Sequence, residues 1–175
     1  MCRALEVGRQ IMLLRKGGIS ESIGGFELEH RSFLLFPTYV HQNAAMLKPG
    51  FAESLAPAVE PATVTLMSCA VVTDILKIQT RSQVDALDAE HIWTKPLIDM
   101  RFQYRPSNPL YLLLLRGYRL TEPVTVENSP AYAGCKSWVP LDSAITAADA
   151  VPVLTDADYK MRERAIREAV SSHAS

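Results

Sequence analysis

The sequence predicts an α+β fold, in which a mixed, mainly antiparallel sheet carries helices on its outside. Two long apolar stretches, 63–79 and 110–120, have the β-branched and leucine content that is typical of strands. Two helical patterns, 95–104 and 156–170, each begin beside a capping residue, and we place both outside the sheet. The sheet can close in a barrel-like form, and a restriction-endonuclease-like α/β sheet is the alternative architecture.

Length and composition set the domain count and exclude several classes of protein. With 175 residues, 48% hydrophobic and 21% charged, the chain has the size of one domain and is neither disordered nor fibrous. We assign 1–150 to a single α+β domain and 151–175 to a C-terminal helical extension. Three cysteines without a C-x-x-C motif predict free thiols in the cytoplasm. No apolar run approaches the roughly 18 residues of a membrane span. The sequence does not indicate an oligomeric state.

The N-terminal part of the chain predicts short strands. Residues 2–6 have the pattern of the end of a strand or hairpin, 7–10 that of a turn, and 11–14 that of an apolar strand. Residues 33–36 suit a buried strand. Pro37 ends it, because proline cannot donate a hydrogen bond to a neighbouring strand.

The middle of the chain alternates connections and strands. We expect a short helix over 41–47, and then a connection over 51–61 that is rich in alanine, proline and glutamate. The stretch 63–79 predicts two strands, with a break near Thr73-Asp74. A short helix is expected over 82–87.

The clearest predicted helix covers 95–104. Thr94 can cap its first turn, and Pro96 is tolerated there because the first N–H groups of a helix have no partner within the helix. Apolar side chains recur at i, i+4, i+7 and i+11, which places them on one helical face. We expect the core-facing set to be Trp93, Leu97, Met100 and Tyr104.

The C-terminal part predicts one long strand and one capped helix. The strand 110–120 is apolar on both faces through Leu115, as in a central strand. Residues 124–126 can pair at an edge, and 137–139 suggest a last short strand. Thr155-x-x-Asp158 is a capping box, and we expect the helix that it opens to pack loosely on the outside.

Clustered cations predict the first candidate function. The net charge of −1 gives no global argument for nucleic acid, but five cations stand against one acid between Lys95 and Arg119. Cations beside aromatic rings suit single-stranded nucleic acid or nucleotides, whereas the alternative is a solvated face. Alternation along strands will turn some of them to opposite faces. We predict a nucleic-acid or nucleotide-binding module that uses Arg15, Lys16, Arg31, Arg101, Arg105, Arg116 and Arg119.

Polar residues around the apolar run 33–36 predict the alternative function. Glu29, His30 and His41 combine carboxylate and imidazole groups, which bind zinc, manganese or iron. The alternative is therefore a metal-dependent phosphodiesterase or other hydrolase centred on these three residues. Their spacing matches no ligand signature. For the nucleic-acid or nucleotide-binding module we therefore predict no cofactor. A divalent metal enters only with the alternative.

Five segments together resemble an uncharacterised prokaryotic family, the domain of unknown function numbered eighteen-oh-two. These segments are 15–19, 29–42, 91–94, 109–120 and 134–139. The most specific is 29–42, which reads Glu-His-Arg-x-Phe-Leu-Leu-Phe-Pro-Thr-x-x-His-Gln. The resemblance spans residues 1 to about 141 and implies no reaction. Similar members begin earlier with another strand, which implies that the first strand here is incomplete.

Overall fold

Two long antiparallel strands dominate the fold. The computed structural model describes residues 1–16, 21–22, 25–26, 30–39, 42–52, 55, 59–132 and 138–173. The strands are β1 (Met12–Arg15), β2 (Glu21–Ser22), β3 (Gly25–Phe26), β4 (Ser32–Leu34), β5 (Thr63–Ile78), β6 (Leu110–Glu127) and β7 (Val151–Pro152). The α-helices are α1 (Cys2–Glu6), α2 (Arg81–Asp85), α3 (Lys95–Gln103) and α4 (Asp156–Ser172).

The main sheet is antiparallel and open. Its strand order is β1-β6-β5-β4, and β7 also pairs with β6, while β2 and β3 form a separate hairpin. Every pairing between the described strands is antiparallel. The two end strands, β1 and β4, are not paired with each other. The α+β prediction is therefore confirmed. The described strands neither close into a barrel nor form the parallel pairs of the alternative α/β sheet.

The strand β5 is continuous where the sequence predicted two strands. Its pairing with β6 shifts register between Leu66 and Ser68, and again between Val72 and Asp74. Each shift is a β-bulge, which accommodates an extra residue and lets the pairing continue beyond it. The predicted break at Thr73-Asp74 is thus the second bulge. In the same way, residues 124–126 belong to β6 rather than to a separate edge strand.

The sheet separates the apolar core into two layers. In β6, Leu112 and Leu114 face a larger layer, whereas Leu113 and Leu115 face a smaller one. This follows from strand geometry, because successive side chains point to opposite faces, and it confirms that 110–115 is apolar on both faces. The larger layer includes Met12, Trp93, Ile98, Tyr159, Ile166 and Val170. The smaller layer includes Leu5, Leu35, Ala70 and Val72.

The helix α4 is an integral part of the larger layer, so the expectation of loose packing is wrong. Thr155 caps the helix as expected, because its Oγ1 accepts a hydrogen bond from the Asp158 N–H at 3.1 Å. The same Oγ1 donates to Asp158 Oδ2 at 2.7 Å, in place of the bond from the Thr155 N–H that would complete a capping box. Tyr159, Ile166 and Val170 lie on one helical face and are buried. The hydroxyl groups of Tyr159 and Thr73 lie 2.6 Å apart, which joins the helix to the bulge in β5.

The N-terminal segment forms the helix α1, so the prediction of a strand end over 2–6 is wrong. The Arg9 N–H donates to the Ala4 carbonyl at 2.9 Å, and this bond folds the chain back after the helix. Gly8 follows with a φ of 66°, in the left-handed region that glycine enters without strain. A Cβ added there would lie 2.5 Å from Leu154 Cδ2. The turn predicted over 7–10 is confirmed.

Helix α3 confirms the prediction over 95–104, and two residues of the expected face, Trp93 and Leu97, pack in the core, while the other two do not. Ile98 is buried, while Met100 and Tyr104 are 47% and 52% exposed. The Thr94 hydroxyl donates to the Ala45 carbonyl at 3.1 Å and makes no cap. This contact fixes the start of α3 against the 3-10 turn Ala44–Met46, which lies within the helix predicted over 41–47. Tertiary contacts, and not periodicity alone, therefore decide which residues of this helix are buried.

Two further segments complete the description. The helix predicted over 82–87 corresponds to α2, whose capping box pairs Thr80 with Gln83. Of the strand predicted over 137–139, Ser137 lies outside the described residues, and Trp138 and Val139 are not in a strand. Across the described part of the chain, no helix combines the length and apolar character needed to cross a bilayer.

Candidate functional site

A cavity of about 730 Å³ borders the smaller core layer and extends to Trp93 and Ile98 of the larger one. This volume is within the range of small-molecule sites, roughly 300–1,000 Å³. The sheet contributes Leu13 of β1, Phe33 of β4 and Leu113 of β6. Three further segments contribute much of the rest of the wall. They are α1, α3 and the stretch 138–141, which contribute Cys2, Leu5, Leu97, Ile98, Arg101, Trp138, Val139, Pro140 and Leu141.

Two arginines stand at the end of the cavity where β1 and α3 meet. Arg15 is the last residue of β1, and it faces the cavity because Leu13, two residues earlier, does so as well. Arg101 lies in the last turn of α3, where a cation also interacts favourably with the helix dipole. Burial lowers the pKa of the Arg15 guanidinium, and the positive charge of Arg101 lowers that pKa further. The two side chains are therefore close enough to repel each other.

The arginine pair has no carboxylate partner in the part of the chain that the structure describes. The ion pairs found there use other cations. The described residues that line the cavity also include neither aspartate nor glutamate. A half-buried cation without a counter-ion is costly, and a second cation beside it adds repulsion. This end of the cavity therefore favours an anion.

The opposite end of the cavity is aromatic. The rings of His30 and Phe33 meet the Trp138 indole edge to face, with ring centroids 5.6 Å and 5.1 Å apart. The indole Nε1 of Trp138 is buried, and no hydrogen-bond partner for it is found in the described part of the chain. Buried donors are nearly always paired, so an unpaired one beside a cavity is unusual. Ser32 and Thr38 are also among the residues at the cavity wall.

Two of the seven candidate cations are held in structural contacts. Arg116 is 6% exposed, and its guanidinium donates to Asp156 Oδ1 at 2.6 Å, to the Leu154 carbonyl at 2.9 Å and to the Thr155 carbonyl at 3.2 Å. Its Cζ also lies 4.7 Å from the centre of the Tyr159 ring. Lys16 is 8% exposed and donates to the Phe102 carbonyl.

Three other candidate cations are exposed and lie apart from the cavity wall. Arg105 stacks on Tyr104, with its Cζ 5.3 Å from the ring centre. Arg119 donates to the Glu6 carbonyl at 3.3 Å, and Arg31 is exposed before β4. The structure thus brings Arg15 and Arg101 together at one site and distributes the remaining five cations elsewhere.

The metal alternative has one residue in the described part of the chain. His30 is exposed and packs against Trp138, whereas Glu29 and His41 lie outside the described residues. Among the residues that are described, no three histidine, cysteine or acidic side chains cluster as metal ligands. His91 is buried, and its Nδ1 accepts the Trp93 N–H at 3.2 Å.

The sequence analysis missed the apolar wall of this site. Leu13 and Leu113 were assigned only to the core, and Trp138 to a strand. One signal was available, because 30–52 and 128–141 contain no acidic residue. Both stretches contribute to the cavity wall. Their lack of acidic residues is consistent with a wall that carries positive charge and no acid.

Fold and cavity define an α+β protein with an open antiparallel sheet and a pair of arginines at one end of an apolar cavity. The chain belongs to the family described as Domain of unknown function (DUF1802), whose profile matches residues 1–165. The family resemblance is thereby confirmed, and the match extends past residue 141 into α4. Searches of curated proteins and of solved structures each found no match.

Proposed function

We propose that this protein binds a small organic anion with a large apolar part. The main observation that supports this proposal is that Arg15 and Arg101 meet at an apolar cavity whose described wall has no acidic residue. The arginines would contact the negative group, and the leucine and aromatic side chains would cover the rest of the ligand.

Electrostatics and geometry both support this assignment. Guanidinium groups make two parallel hydrogen bonds to carboxylate or phosphate oxygens, and such charge-assisted bonds are about twice as strong as neutral ones. The half-buried position of Arg15 strengthens the attraction, because the surroundings screen charge less than water does. A bound anion would also relieve the repulsion between the two arginines.

The proposal is tested with anilinonaphthalene sulfonate, a fluorescent anion with an apolar ring system. We expect saturable binding that Arg101→Ala weakens about tenfold, because a hydrogen bond to a charged group contributes roughly 1.5–3 kcal/mol. Arg101→Lys should weaken binding less, since it keeps the charge but not the paired donors.

Arg105→Ala is the matched control for this test. It removes an exposed arginine four residues further along that does not line the cavity. Equal affinity in the wild-type protein, Arg101→Ala and Arg105→Ala would refute the assignment.

Binding of single-stranded nucleic acid or a nucleotide is the second candidate. It is favoured by the exposed cations Arg31, Arg105 and Arg119, and by the stacking of Arg105 on an exposed tyrosine. Under this candidate, Arg101→Ala combined with Arg105→Ala weakens binding of RNA or single-stranded DNA and flattens its salt dependence. An unchanged affinity and salt slope in the double variant would remove it.

The hydrolase centred on Glu29, His30 and His41 stays a prediction, and so does its divalent metal. Manganese-dependent cleavage of a phosphodiester, lost in His30→Ala, is the result that this prediction requires. The wild-type protein without cleavage in manganese or magnesium would rule it out.

A further inference from the structure

The register of the sheet gives the length of the cavity. Arg15 pairs with Tyr111, while Ser32 pairs with Val71, which pairs with Arg116. The two ends therefore differ by five residues along β6, about 17 Å, and by three strand spacings, about 14 Å. The diagonal between the arginine end and the Ser32 end is on the order of 20 Å.

The wall between these two ends is apolar. Leu5, Leu13, Phe33, Leu35 and Leu113 provide hydrocarbon side chains there. The charged side chains of the described wall, Arg15 and Arg101, stand together at one end. A ligand that fills the cavity needs one charged end and a long apolar body.

We propose that the ligand is a long-chain carboxylate, with its carboxylate at Arg15 and Arg101 and its alkyl chain extended along the smaller core layer toward Trp138. This inference rests on the proposed function and names the ligand class. An extended chain advances about 1.3 Å per bond, so a span on the order of 20 Å takes about 16 carbons.

A nucleotide fits this wall less well. Its base carries donors and acceptors on its edge, and burying them without partners is unfavourable. The described middle of the cavity offers hydrocarbon side chains, which suit methylene groups.

The test is a chain-length series by isothermal titration with octanoate, dodecanoate and hexadecanoate. Each additional buried methylene should tighten binding about fourfold until the cavity is filled. Arg101→Ala should weaken all three acids by a similar factor of about ten. The methyl ester of dodecanoate, which has no charge, should bind more weakly than dodecanoate itself.

A blocking variant tests the position of the chain. Phe33→Trp enlarges a ring on the cavity face of β4, in a strand where aromatic residues are well tolerated. It should weaken hexadecanoate at least tenfold and leave octanoate unchanged. Thr65→Phe adds an aromatic ring at an exposed position of β5 outside the cavity wall and should leave both affinities unchanged.

The outcomes separate the ligand class from the proposed function. Arg101-dependent binding of anilinonaphthalene sulfonate or of a fluorescent ATP analogue, with no gain along the alkanoate series, would overturn the long-chain assignment alone. Absence of binding for every probe would overturn the proposed function as well. If affinity rose with chain length to the same extent in Phe33→Trp as in the wild-type protein, the alkyl chain would lie elsewhere and the inference would be contradicted.

Discussion

The two faces of the sheet use arginine in opposite ways. On the face covered by α4, arginines are paired with acids. Arg162 Nη2 lies 2.6 Å from Glu90 Oε2, and Arg116 Nη2 lies 2.6 Å from Asp156 Oδ1. On the cavity face, Arg15 and Arg101 lie beside each other, and the described structure gives them no acidic partner.

This difference separates stabilising cations from cations that are free to bind. A paired arginine already has its donors occupied, and removing it leaves protein acceptors without partners. An arginine without an acid contributes little to the fold, but it attracts an anion. The same contrast holds for apolar residues, because Ile166 under α4 is fully buried while Leu13 and Phe33 at the cavity are only half-buried.

The largest contrast is expected for aliphatic side chains. Ile166 of α4 is completely buried, so Ile166→Ala should lower the free energy of unfolding by about 2–5 kcal/mol. Leu13 is half-buried at the cavity, and Leu13→Ala should cost about 1–2 kcal/mol. Urea unfolding of both variants measures the difference. Equal losses would mean that the two faces are equally well packed.

A slightly smaller contrast is expected between two arginines of β6. Arg116→Ala should lower the free energy of unfolding by about 2–4 kcal/mol, because it leaves the Leu154 and Thr155 carbonyls and Asp156 without their donor. The control Arg119→Ala removes an exposed arginine from the same strand and should stay within about 0.5 kcal/mol. If Arg116→Ala also stayed within that range, the contacts of Arg116 would not be structural.

The buried side chain of His91 should make the free energy of unfolding depend on pH. Burial, followed by the charge of Lys48, lowers the pKa of His91 from 6.5 to about 4. Between these values the unfolded chain binds a proton that the folded chain excludes. The contribution of His91 is therefore present above pH 6.5 and is lost as the pH falls toward 4, by roughly 2 kcal/mol after allowance for solvent screening.

The variant His91→Asn isolates this effect. Its side-chain oxygen can accept the Trp93 N–H in place of Nδ1, and it does not titrate. The free energy of unfolding should fall less steeply for the variant than for the wild-type protein between pH 6.5 and 4. Parallel pH profiles would show that His91 titrates alike in the folded and unfolded chains.

The smallest effect on stability is expected for Arg101. Arg101→Ala should change the free energy of unfolding by less than about 0.5 kcal/mol, because the side chain is exposed and has no described acidic partner. Loss of its repulsion with Arg15 offsets part of any cost. Thermal unfolding without ligand measures this value. A loss comparable to that of Arg116→Ala would put Arg101 among the stabilising cations.

Local patterns in the sequence predicted most of the secondary structure. The apolar runs gave β5 and β6, and the Thr155–Asp158 capping pattern gave the start of α4, because each depends on neighbouring residues. The break in β5 was mistaken for a strand end, since a bulge and a turn differ mainly in what pairs across from them.

Local sequence patterns could not predict how the cations divide between the two faces of the sheet. The partner of Arg116 is Asp156, forty residues away, and no spacing rule connects them. Arg15 and Arg101 meet only because α3 packs beside β1, with Ile98 rather than Met100 turned inward. The expectation that alternation would turn some cations to opposite faces is confirmed, but which ones depended on tertiary packing.

The most direct test of the cavity as an anion site uses the two tryptophans of the chain. Trp93 and Trp138 are its only tryptophans, and both line the cavity, so their indole N–H signals in a nitrogen-15 NMR spectrum report on it. Titration with anilinonaphthalene sulfonate should shift both signals saturably in the wild-type protein and in Arg105→Ala, and far more weakly in Arg101→Glu. Unchanged indole signals once the probe's fluorescence has saturated would place the bound anion outside the cavity and contradict the account.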